Sequence, residues 1–266
     1  MISSCDISSS LRSLGVNKGD ICLFHSSFKS LGPMDGGAES VIRGFESVLG
    51  ADGTLVAPTL CQRDFINSYK TWHLDKPSDV GYLTEYFRKL PGVCRSDQAT
   101  HSVAARGRLA YELTYEHTAR GPRACPFGGY AFCDSSPWMK MYLLNAKVVF
   151  IGVSMRYHTM KHLIEGMYVE ELLSKSGEKE DALRGKLRKF GIEDGIWPFY
   201  DSVVMQGDLE TLGLVKKACC GEAELLCVEA CPSSDEALKF LRKNPSRYIS
   251  DKNTLAWISK AISGGV

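Results

Sequence analysis

Two histidines and a glutamate lie at spacings of four and three residues in the segment HTMKHLIE, which runs from His158 through His162 to Glu165. On an α-helix these spacings place side chains on one face. A carboxylate three residues after a histidine can accept its ring N–H, which fixes the tautomer and raises the basicity of the other ring nitrogen. The segment therefore predicts a catalytic base with its partner, a three-ligand metal site, or an exposed helix face with a salt bridge.

The metal interpretation has weaker support from the spacing. The zinc-protease helix requires a glutamate directly after its first histidine, and this chain has Thr159 there. A metal-dependent hydrolase that uses His158, His162 and Glu165 without that motif remains an alternative. The cysteines of CCGEAELLCVEAC (219–231) match no standard structural zinc spacing and fit a buried strand. We expect all ten cysteines to be free and mostly buried.

Other polar side chains follow or enter predicted strands. They are His25, Ser26 and Ser27 after one strand, Arg95 and Ser96 in RSDQATHS, and Thr100, His101 and Ser102 at or inside another strand. In open α/β sheets, ligands bind beyond the carboxyl ends of the strands. Hydroxyls, backbone N–H groups and an arginine there suit a phosphate or carbonyl group. Ordinary turn and cap chemistry is the alternative interpretation.

Strands alternate with helices along the chain. GDICLFHSS, GGAESVIRGFESVLG and DGTLVAPT are typical of a strand, a helix and a parallel strand. KVVFIGV (147–153) is the clearest buried strand, and we expect the helix that carries His162 to follow it directly, with Thr159 as N-cap. The alternation predicts a three-layer α/β/α domain with a central, largely parallel sheet. A compact lobe built from residues 60–80 and 120–140 is expected beside it.

Further elements complete this prediction. Helices are expected at 107–119, 137–144, 202–215 and 233–246, strands at 99–105 and 223–230, and an exposed excursion at 175–198. We expect residues 1–266 to form a single domain, because no linker, repeat or low-complexity tract interrupts them.

Composition excludes several classes of function. The 266 residues are 44% hydrophobic and 24% charged, with a net charge of +1 and both signs interspersed. No basic block predicts nucleic-acid binding. The longest apolar run is too short to span a bilayer, and the first residues lack a signal-peptide core, so we expect a cytoplasmic protein with no membrane partner. The oligomeric state stays open.

Several common catalytic motifs are missing from the sequence. It contains no G-x-x-x-x-G-K-[ST], no G-x-G-x-x-G after a strand and no G-x-S-x-G. The Q-x-x-G-x-G/A loop of the commoner acetyltransferase superfamily is also missing.

From about residue 10 to about residue 245 the chain resembles one family, the aminoglycoside 3-N-acetyltransferases. The resemblance rests on LGVNKGDICLFHSSFKSLG, LGADGTLVAPT, LPGVCRSDQATHSVAARG, PFG with SSPWMKMYLL, KVVFIGV, a T-x-x-H-x-x-E formed by Thr159, His162 and Glu165, and GEAELLCVEA, in that order.

The resemblance implies an α/β/α fold distinct from the commoner acetyltransferase superfamily, with acetyl-CoA as cosubstrate and no metal. His162, supported by Glu165, would act as general base on an amine that takes the acetyl group directly, with the 3-amino group of an aminoglycoside as the first candidate. The residues implied to contact coenzyme A are His25, Ser26, Ser27, Arg95, Ser96, Thr100, His101, Ser102 and Thr159.

The chain departs from the family pattern at two places. Gln98-Ala99 stands where the family usually has His-Pro, and SMRYH brings Arg156 where small or acidic residues are usual. A polycationic aminoglycoside prefers carboxylates around it, so a different amine metabolite is an alternative acceptor. Asp201 lies in the region from which the family draws another acidic residue. A non-catalytic coenzyme A binder is the remaining alternative, and the intact Thr159, His162 and Glu165 argue against it.

Overall fold

The protein is described here by a computed structural model that covers residues 1–263. Within that range the chain forms a seven-stranded sheet in the order β3-β4-β2-β1-β5-β7-β6. The strands are β1 (Ile21–Ser26), β2 (Thr54–Pro58), β3 (Cys94–Arg95), β4 (Val103–Gly107), β5 (Lys147–Ile151), β6 (Lys216–Cys220) and β7 (Ala223–Glu229). The last three residues of the expected 1–266 domain lie outside the described range.

The sheet is mixed, and its parallel pairing is confined to the centre. Strand β1 pairs in parallel with β2 and with β5, which confirms the predicted strand–helix–strand unit. The flanking strands pair antiparallel: β4 with β2, β3 with β4, β7 with β5 and β6 with β7. The expectation of a largely parallel sheet therefore holds for the three central strands only.

Twelve α-helices lie before, between or after these strands in residues 1–263. They are α1 (Ser4–Ser13), α2 (Gly37–Leu49), α3 (Phe65–Lys70), α4 (Tyr82–Arg88), α5 (Ala110–Thr114), α6 (Pro137–Leu143), α7 (Lys161–Ser174), α8 (Glu180–Arg184), α9 (Ser202–Thr211), α10 (Ala230–Lys243), α11 (Pro245–Tyr248) and α12 (Lys252–Ile262).

Alternation along the central strands builds a hydrophobic cluster on each face of the sheet. Phe24 of β1 packs against Phe45 of α2 and Phe87 of α4, with ring centroids 5.6 Å and 6.0 Å apart. Its neighbour Leu23 belongs to the other cluster, together with Trp138 of α6 and buried residues of α7, α9, α10 and α12. Helices therefore cover both faces, and the edge formed by the strand ends is left for the site.

Several predicted boundaries were wrong, for local reasons. The helix expected at 107–119 is limited to α5, and the one expected at 202–215 ends with α9. Residues after Gly213 form the unpredicted strand β6, which turns at Gly221 into β7. Gly221 has a φ of 58°, and a Cβ there would lie 2.4 Å from the carbonyl oxygen of Leu31, so only glycine fits this turn.

The start of the helix that carries His162 also differs from the prediction. A 3-10 turn over Met155–Tyr157 follows β5, and α7 begins only at Lys161. Its N-cap is Met160, which makes no side-chain cap, so the prediction of Thr159 as N-cap is wrong. His158 consequently precedes the helix and does not share a face with His162 and Glu165.

The cysteines are free, as predicted, and six of the ten are buried. Within the described residues there is no group of three or more His, Cys, Asp or Glu side chains that could hold a metal ion. No helix in the same range is long and apolar enough to cross a membrane.

Candidate active site

His162 and Glu165 form a hydrogen-bonded dyad on the first turns of α7. His162 Nδ1 lies 2.8 Å from Glu165 Oε2. The imidazole is 19% exposed, whereas the carboxylate is fully buried, so an ordinary exposed salt bridge on a helix surface is ruled out. With its Nδ1–H directed to the carboxylate, the imidazole keeps Nε2 as the nitrogen that can accept a proton.

Glu165 is held from three further directions. The indole N–H of Trp197 donates to Oε2 at 3.0 Å, and the backbone N–H of Tyr200 donates to Oε1 at 3.3 Å. Lys161 Nζ lies 3.8 Å from Oε1. A buried carboxylate needs such donors and a cationic partner to remain charged. The dyad is therefore a fixed unit rather than two independently mobile side chains.

Aromatic rings enclose the imidazole of His162. The ring centroids of Phe127, Phe132 and Phe199 lie 4.6, 5.8 and 6.1 Å from it, and that of His101 lies 5.9 Å away. Phe127 also packs against Phe65 at 5.5 Å, so the segments 60–80 and 120–140 meet beside the dyad. Few water molecules can surround the imidazole, and electrostatic interactions there are correspondingly stronger.

A cleft of about 690 Å³ opens beside the dyad at the carboxyl ends of β1, β2 and β5. The predicted residues that line it are His25, Ser26, Ser27, Thr159 and His162. The strand β4 runs antiparallel to β2 and pairs Val103 with Pro58, so its amino end lies at the same edge. That arrangement brings the Thr100–Ser102 segment behind the cleft, although it precedes its strand.

Arg95 lies behind the cleft wall, where its guanidinium binds protein groups. It donates to the carbonyls of Leu74 and Thr59 at 2.7 Å, and also to the carbonyl of Lys76. Its charge lies 4.6 Å from the ring centroid of Trp72. Burial lowers the pKa of Arg95 to about 10. The arginine thus fastens the loop after α3 to the end of β2.

Ser96, Thr100, His101 and Ser102 are all fully buried. Ser96 Oγ accepts from the backbone N–H of Val103, and Ser102 Oγ donates to the carbonyl of Thr59. Thr100 Oγ1 donates to the carbonyl of Phe127 and lies 3.0 Å from His101 Nδ1. Burial holds the pKa of His101 well below its usual value, so this ring packs against His162 uncharged.

The mouth of the cleft is basic. Arg63 and Arg156 are exposed, and Lys161 donates to the carbonyl of Tyr200 at 2.6 Å. The one acidic residue that lines this cleft in the described chain is Asp79, which already accepts from the backbone N–H groups of Gln62 and Arg63, both at 2.8 Å. The cleft is therefore suited to an anionic ligand such as a phosphate.

His25 and His158 lie buried on the cleft floor. Their ring centroids are 6.3 Å apart, and each packs at 5.3 Å against Phe150. Burial lowers the pKa of both His25 and His158 to about 3, so both are uncharged at neutral pH. The position of His158 in the cleft agrees with the expectation that its segment lies at the ligand-binding end of the sheet, after the strand at 147–153.

Sequence reasoning also missed the residues that orient Glu165. Lys161 stands four residues before it, a helical spacing that could have shown the contact. Trp197 and Tyr200 come from the excursion after α8, and no local pattern connects them to α7.

Asp201 caps α9 by accepting from the backbone N–H groups of Val203 and Val204. It also lines a second cleft of about 580 Å³, which shares Arg156 and Lys161 with the first.

A family model described as aminoglycoside 3-N-acetyltransferase matches residues 23–242, which include both strands of the cleft floor and the dyad. The chain belongs to this family. The resemblance seen in the sequence is thereby confirmed.

Relatives within the aminoglycoside 3-N-acetyltransferase family are distant. An aminoglycoside N(3)-acetyltransferase III from a Salmonella species is 29% identical over 178 residues, which cover 60% of this chain and 59% of the relative. An aminoglycoside N(3')-acetyltransferase-like protein, YokD, from Bacillus subtilis (strain 168) is 26% identical over 180 residues, 60% of this chain and 63% of the relative. The chain thus matches somewhat more than half of the length of these relatives.

Solved structures of aminoglycoside acetyltransferases share the fold. The binary complex of AAC-IIIb with CoASH superposes with a TM-score of 0.70 at 17% identity, covering 94% of this chain and 98% of that one. A variant of AAC(3)-IVa in complex with apramycin superposes with a TM-score of 0.67 at 22% identity, covering 92% of this chain and 94% of that one. At these identities the similarity establishes the architecture alone.

Proposed function

We propose that this protein transfers the acetyl group of acetyl-CoA to a primary amine, with His162 as general base. The observation that carries the proposal is the dyad: an imidazole hydrogen-bonded at 2.8 Å to a fully buried carboxylate, placed at a cleft with a basic mouth. Family membership supports this reaction class, and a relative that shares the fold binds coenzyme A.

The chemistry follows from the position of the dyad. An amine in water near pH 7 is mostly protonated and cannot attack until it loses a proton. The ammonium first releases one proton to solvent. As the neutral nitrogen then attacks the thioester carbonyl carbon, His162 Nε2 takes the second proton that this nitrogen must lose. The carbon–sulfur bond then breaks, coenzyme A leaves as a thiolate, and the imidazolium returns the proton to the sulfur. Glu165 stabilises the transient imidazolium, and no acyl-enzyme is required.

The oxyanion formed during attack needs hydrogen-bond donors. Thr159 lines the cleft three residues before His162. Neither its backbone N–H nor its hydroxyl is bonded to another group within residues 1–263. We therefore assign Thr159 as the donor to the acetyl oxygen.

The nine residues implied to contact coenzyme A divide into two groups. His25, Ser26, Ser27 and Thr159 line the cleft, and we propose direct contact for them. Arg95, Ser96, Thr100, His101 and Ser102 bind one another and neighbouring loops, and we propose that they hold the cleft wall in place.

An aminoglycoside is the first candidate for the acceptor, because the named relatives are aminoglycoside acetyltransferases. One observation favours a second candidate, an amine that also carries an anionic group. Arg156 is exposed between the two clefts, and the carboxylates of Asp79 and Asp201 are each engaged by two backbone N–H groups. A polycation would meet an arginine there without a free carboxylate to offset it.

The reaction is tested by thiol release from acetyl-CoA with His162→Ala. We expect turnover to fall by about 10²-fold to 10⁴-fold, the usual contribution of a general base, while the Kd for coenzyme A changes little. The control is His73→Ala, which replaces an exposed histidine on the loop after α3. A His162→Ala variant that keeps most of its turnover would show that another group removes the proton.

The acceptor is identified with the same assay and the wild-type protein. Aminoglycosides, neutral amino sugars and amines that carry a carboxylate or phosphate are compared by kcat/KM. A preference for aminoglycosides supports the first candidate, and a preference for the anionic amines supports the second. Arg156→Gln should raise the KM for anionic amines only.

A further inference from the structure

We propose that His158, with His25, binds the pantetheine arm of coenzyme A through uncharged hydrogen bonds on the cleft floor. The inference rests on the proposed function and adds to it a ligand-contacting residue and an orientation for the cosubstrate.

The first argument is that both rings lack protein partners. His25 and His158 are 5% and 3% exposed. Nevertheless His25 Nε2 and His158 Nδ1 make no hydrogen bond to any group in residues 1–263. A buried polar atom without a partner costs about 1–3 kcal/mol, so such atoms in a folded protein call for an explanation. Both residues line the cleft, although these two nitrogens are themselves covered in the ligand-free protein; a ligand on the floor would meet them once the rings turn.

His117 provides the contrast within the same chain. It is equally buried, but its Nδ1 lies 2.9 Å from Ser96 Oγ and its Nε2 lies 3.1 Å from the carbonyl oxygen of Ala131. A buried histidine of this chain can therefore have both ring nitrogens paired by protein groups. His101 Nε2 and Ser234 Oγ are also unpaired, but neither of these residues lines the cleft.

The second argument concerns the charge of the partner. Burial lowers the pKa of each floor histidine to about 3, so each presents one N–H donor and one bare nitrogen acceptor at neutral pH. Such a ring matches an amide, which also has one donor and one acceptor. A phosphate would instead be drawn to the exposed Arg63 at the mouth.

The third argument is position. His158 is four residues before His162, His25 is the penultimate residue of β1, and all three line the same cleft as Arg63. Coenzyme A is a long molecule with phosphates at one end, two amides along its arm and sulfur at the other end. Phosphates at the mouth and amides on the floor place the thioester at His162.

The test is titration calorimetry of coenzyme A with the wild type, His158→Phe and His158→Asn. Phenylalanine keeps the packing against Phe150 and removes the hydrogen bond. We expect its Kd to rise about tenfold and the KM for acetyl-CoA to rise in parallel, with kcat little changed. Asparagine, whose amide can reach the position of Nδ1, should restore most of the affinity.

Thermal unfolding separates a binding role from a structural one. His158→Phe removes no protein hydrogen bond, so its Tm should equal or exceed that of the wild type. The matched control, His117→Phe, loses two hydrogen bonds and should lower the Tm without changing the Kd for coenzyme A. A lower Tm for His158→Phe with an unchanged Kd would overturn the proposal.

The part of coenzyme A that forms this hydrogen bond is tested with adenosine 3′,5′-bisphosphate, which lacks the pantetheine arm. Its inhibition constant should be equal for the wild type and His158→Phe, and a rise as large as that for coenzyme A would overturn the assignment to the arm. A His158→Phe variant that raises only the KM of the acceptor would overturn it as well. If the wild type itself does not bind coenzyme A, the proposed function fails and this inference fails with it.

Discussion

Glu165 is the residue through which distant parts of the chain act on His162. Its two oxygens accept from the imidazole, from the indole of Trp197 and from the backbone of Tyr200, and Lys161 lies close by. The carboxylate cannot turn away from the imidazole without leaving one of these donors unpaired. Orientation of the base is therefore a property of this cluster rather than of the two dyad residues alone.

Replacement of Glu165 by glutamine tests this dependence. The amide keeps the shape but has one acceptor oxygen in place of two and no charge to stabilise an imidazolium. We expect kcat to fall by about 10²-fold or more, and the free energy of unfolding to fall by about 1–3 kcal/mol because a buried donor loses its acceptor. Both are measured with the thiol-release assay and urea unfolding.

The matched control is Glu170→Gln on the same helix. Glu170 pairs with Arg184 and is partly exposed, away from the dyad. The Glu170→Gln variant should keep a kcat close to that of the wild type. A Glu165→Gln variant with the same kcat as this control would show that the carboxylate is not needed for turnover.

At the scale of elements, the cleft depends on how loops are fastened to strand ends. Arg95 joins the carbonyls of Leu74 and Lys76 to that of Thr59 at the end of β2. The loop at 71–76 carries little regular structure of its own and is held by Arg95, together with the bond from Trp72 Nε1 to Asp97 at 2.6 Å.

Arg95→Met should release that loop. Methionine keeps part of the bulk but leaves the carbonyls of Leu74 and Lys76 without this donor, so we expect the free energy of unfolding to fall by about 1–3 kcal/mol. Hydrogen exchange of the amides at 71–79 should become faster in the ligand-free protein. Arg63→Met, on an exposed arginine of the same region, is the control, and equal exchange rates in the two variants would contradict the role given to Arg95.

The elements show which parts of the site a sequence can predict. The central strands were predictable because each is a short apolar run bounded by turn residues, and the segment around His25, Ser26 and Ser27 followed from the end of β1. The dyad was predictable because His162 and Glu165 are three residues apart, and on a helix that separation brings two side chains together. The start of α7 was not, since Met160 caps it without a side-chain signal and the 3-10 turn before it displaced His158 from the helix face.

The remaining parts of the site depend on contacts that are distant in sequence. Because β4 runs antiparallel to β2, Thr100, His101 and Ser102 reach the ligand-binding edge of the sheet from the amino end of β4. A five-residue apolar run does not show in which direction its strand will pair. Trp197 reaches Glu165 across a separation of 32 residues that includes most of α7, the whole of α8 and an irregular segment. These positions follow from packing of the whole fold and had no pattern by which they could be found.

At the scale of the whole molecule, four buried neutral histidines make folding sensitive to acid. Burial lowers the pKa of His25, His117 and His158 to about 3 from an ordinary value of 6.5, and it also holds the pKa of His101 well below that value. Below about pH 6.5 the unfolded chain binds protons on these rings, whereas the folded chain does not. The free energy of unfolding must therefore fall as the pH falls from about 6.5 towards 3.

Between its pKa in the folded protein and its pKa in the unfolded chain, each such histidine changes the free energy of unfolding by up to about 1.4 kcal/mol per pH unit. Urea unfolding at pH 7.5, 6.0, 5.0 and 4.5 should show stability nearly constant above pH 7 and dropping with the combined slope of several histidines below pH 6. The His158→Phe variant has one ionisable ring fewer, so the slope of its free energy of unfolding against pH should be smaller by about 1.4 kcal/mol per pH unit. A slope identical to that of the wild type would mean that His158 is protonated in the folded protein, because only a ring that is neutral when folded takes up its proton on unfolding.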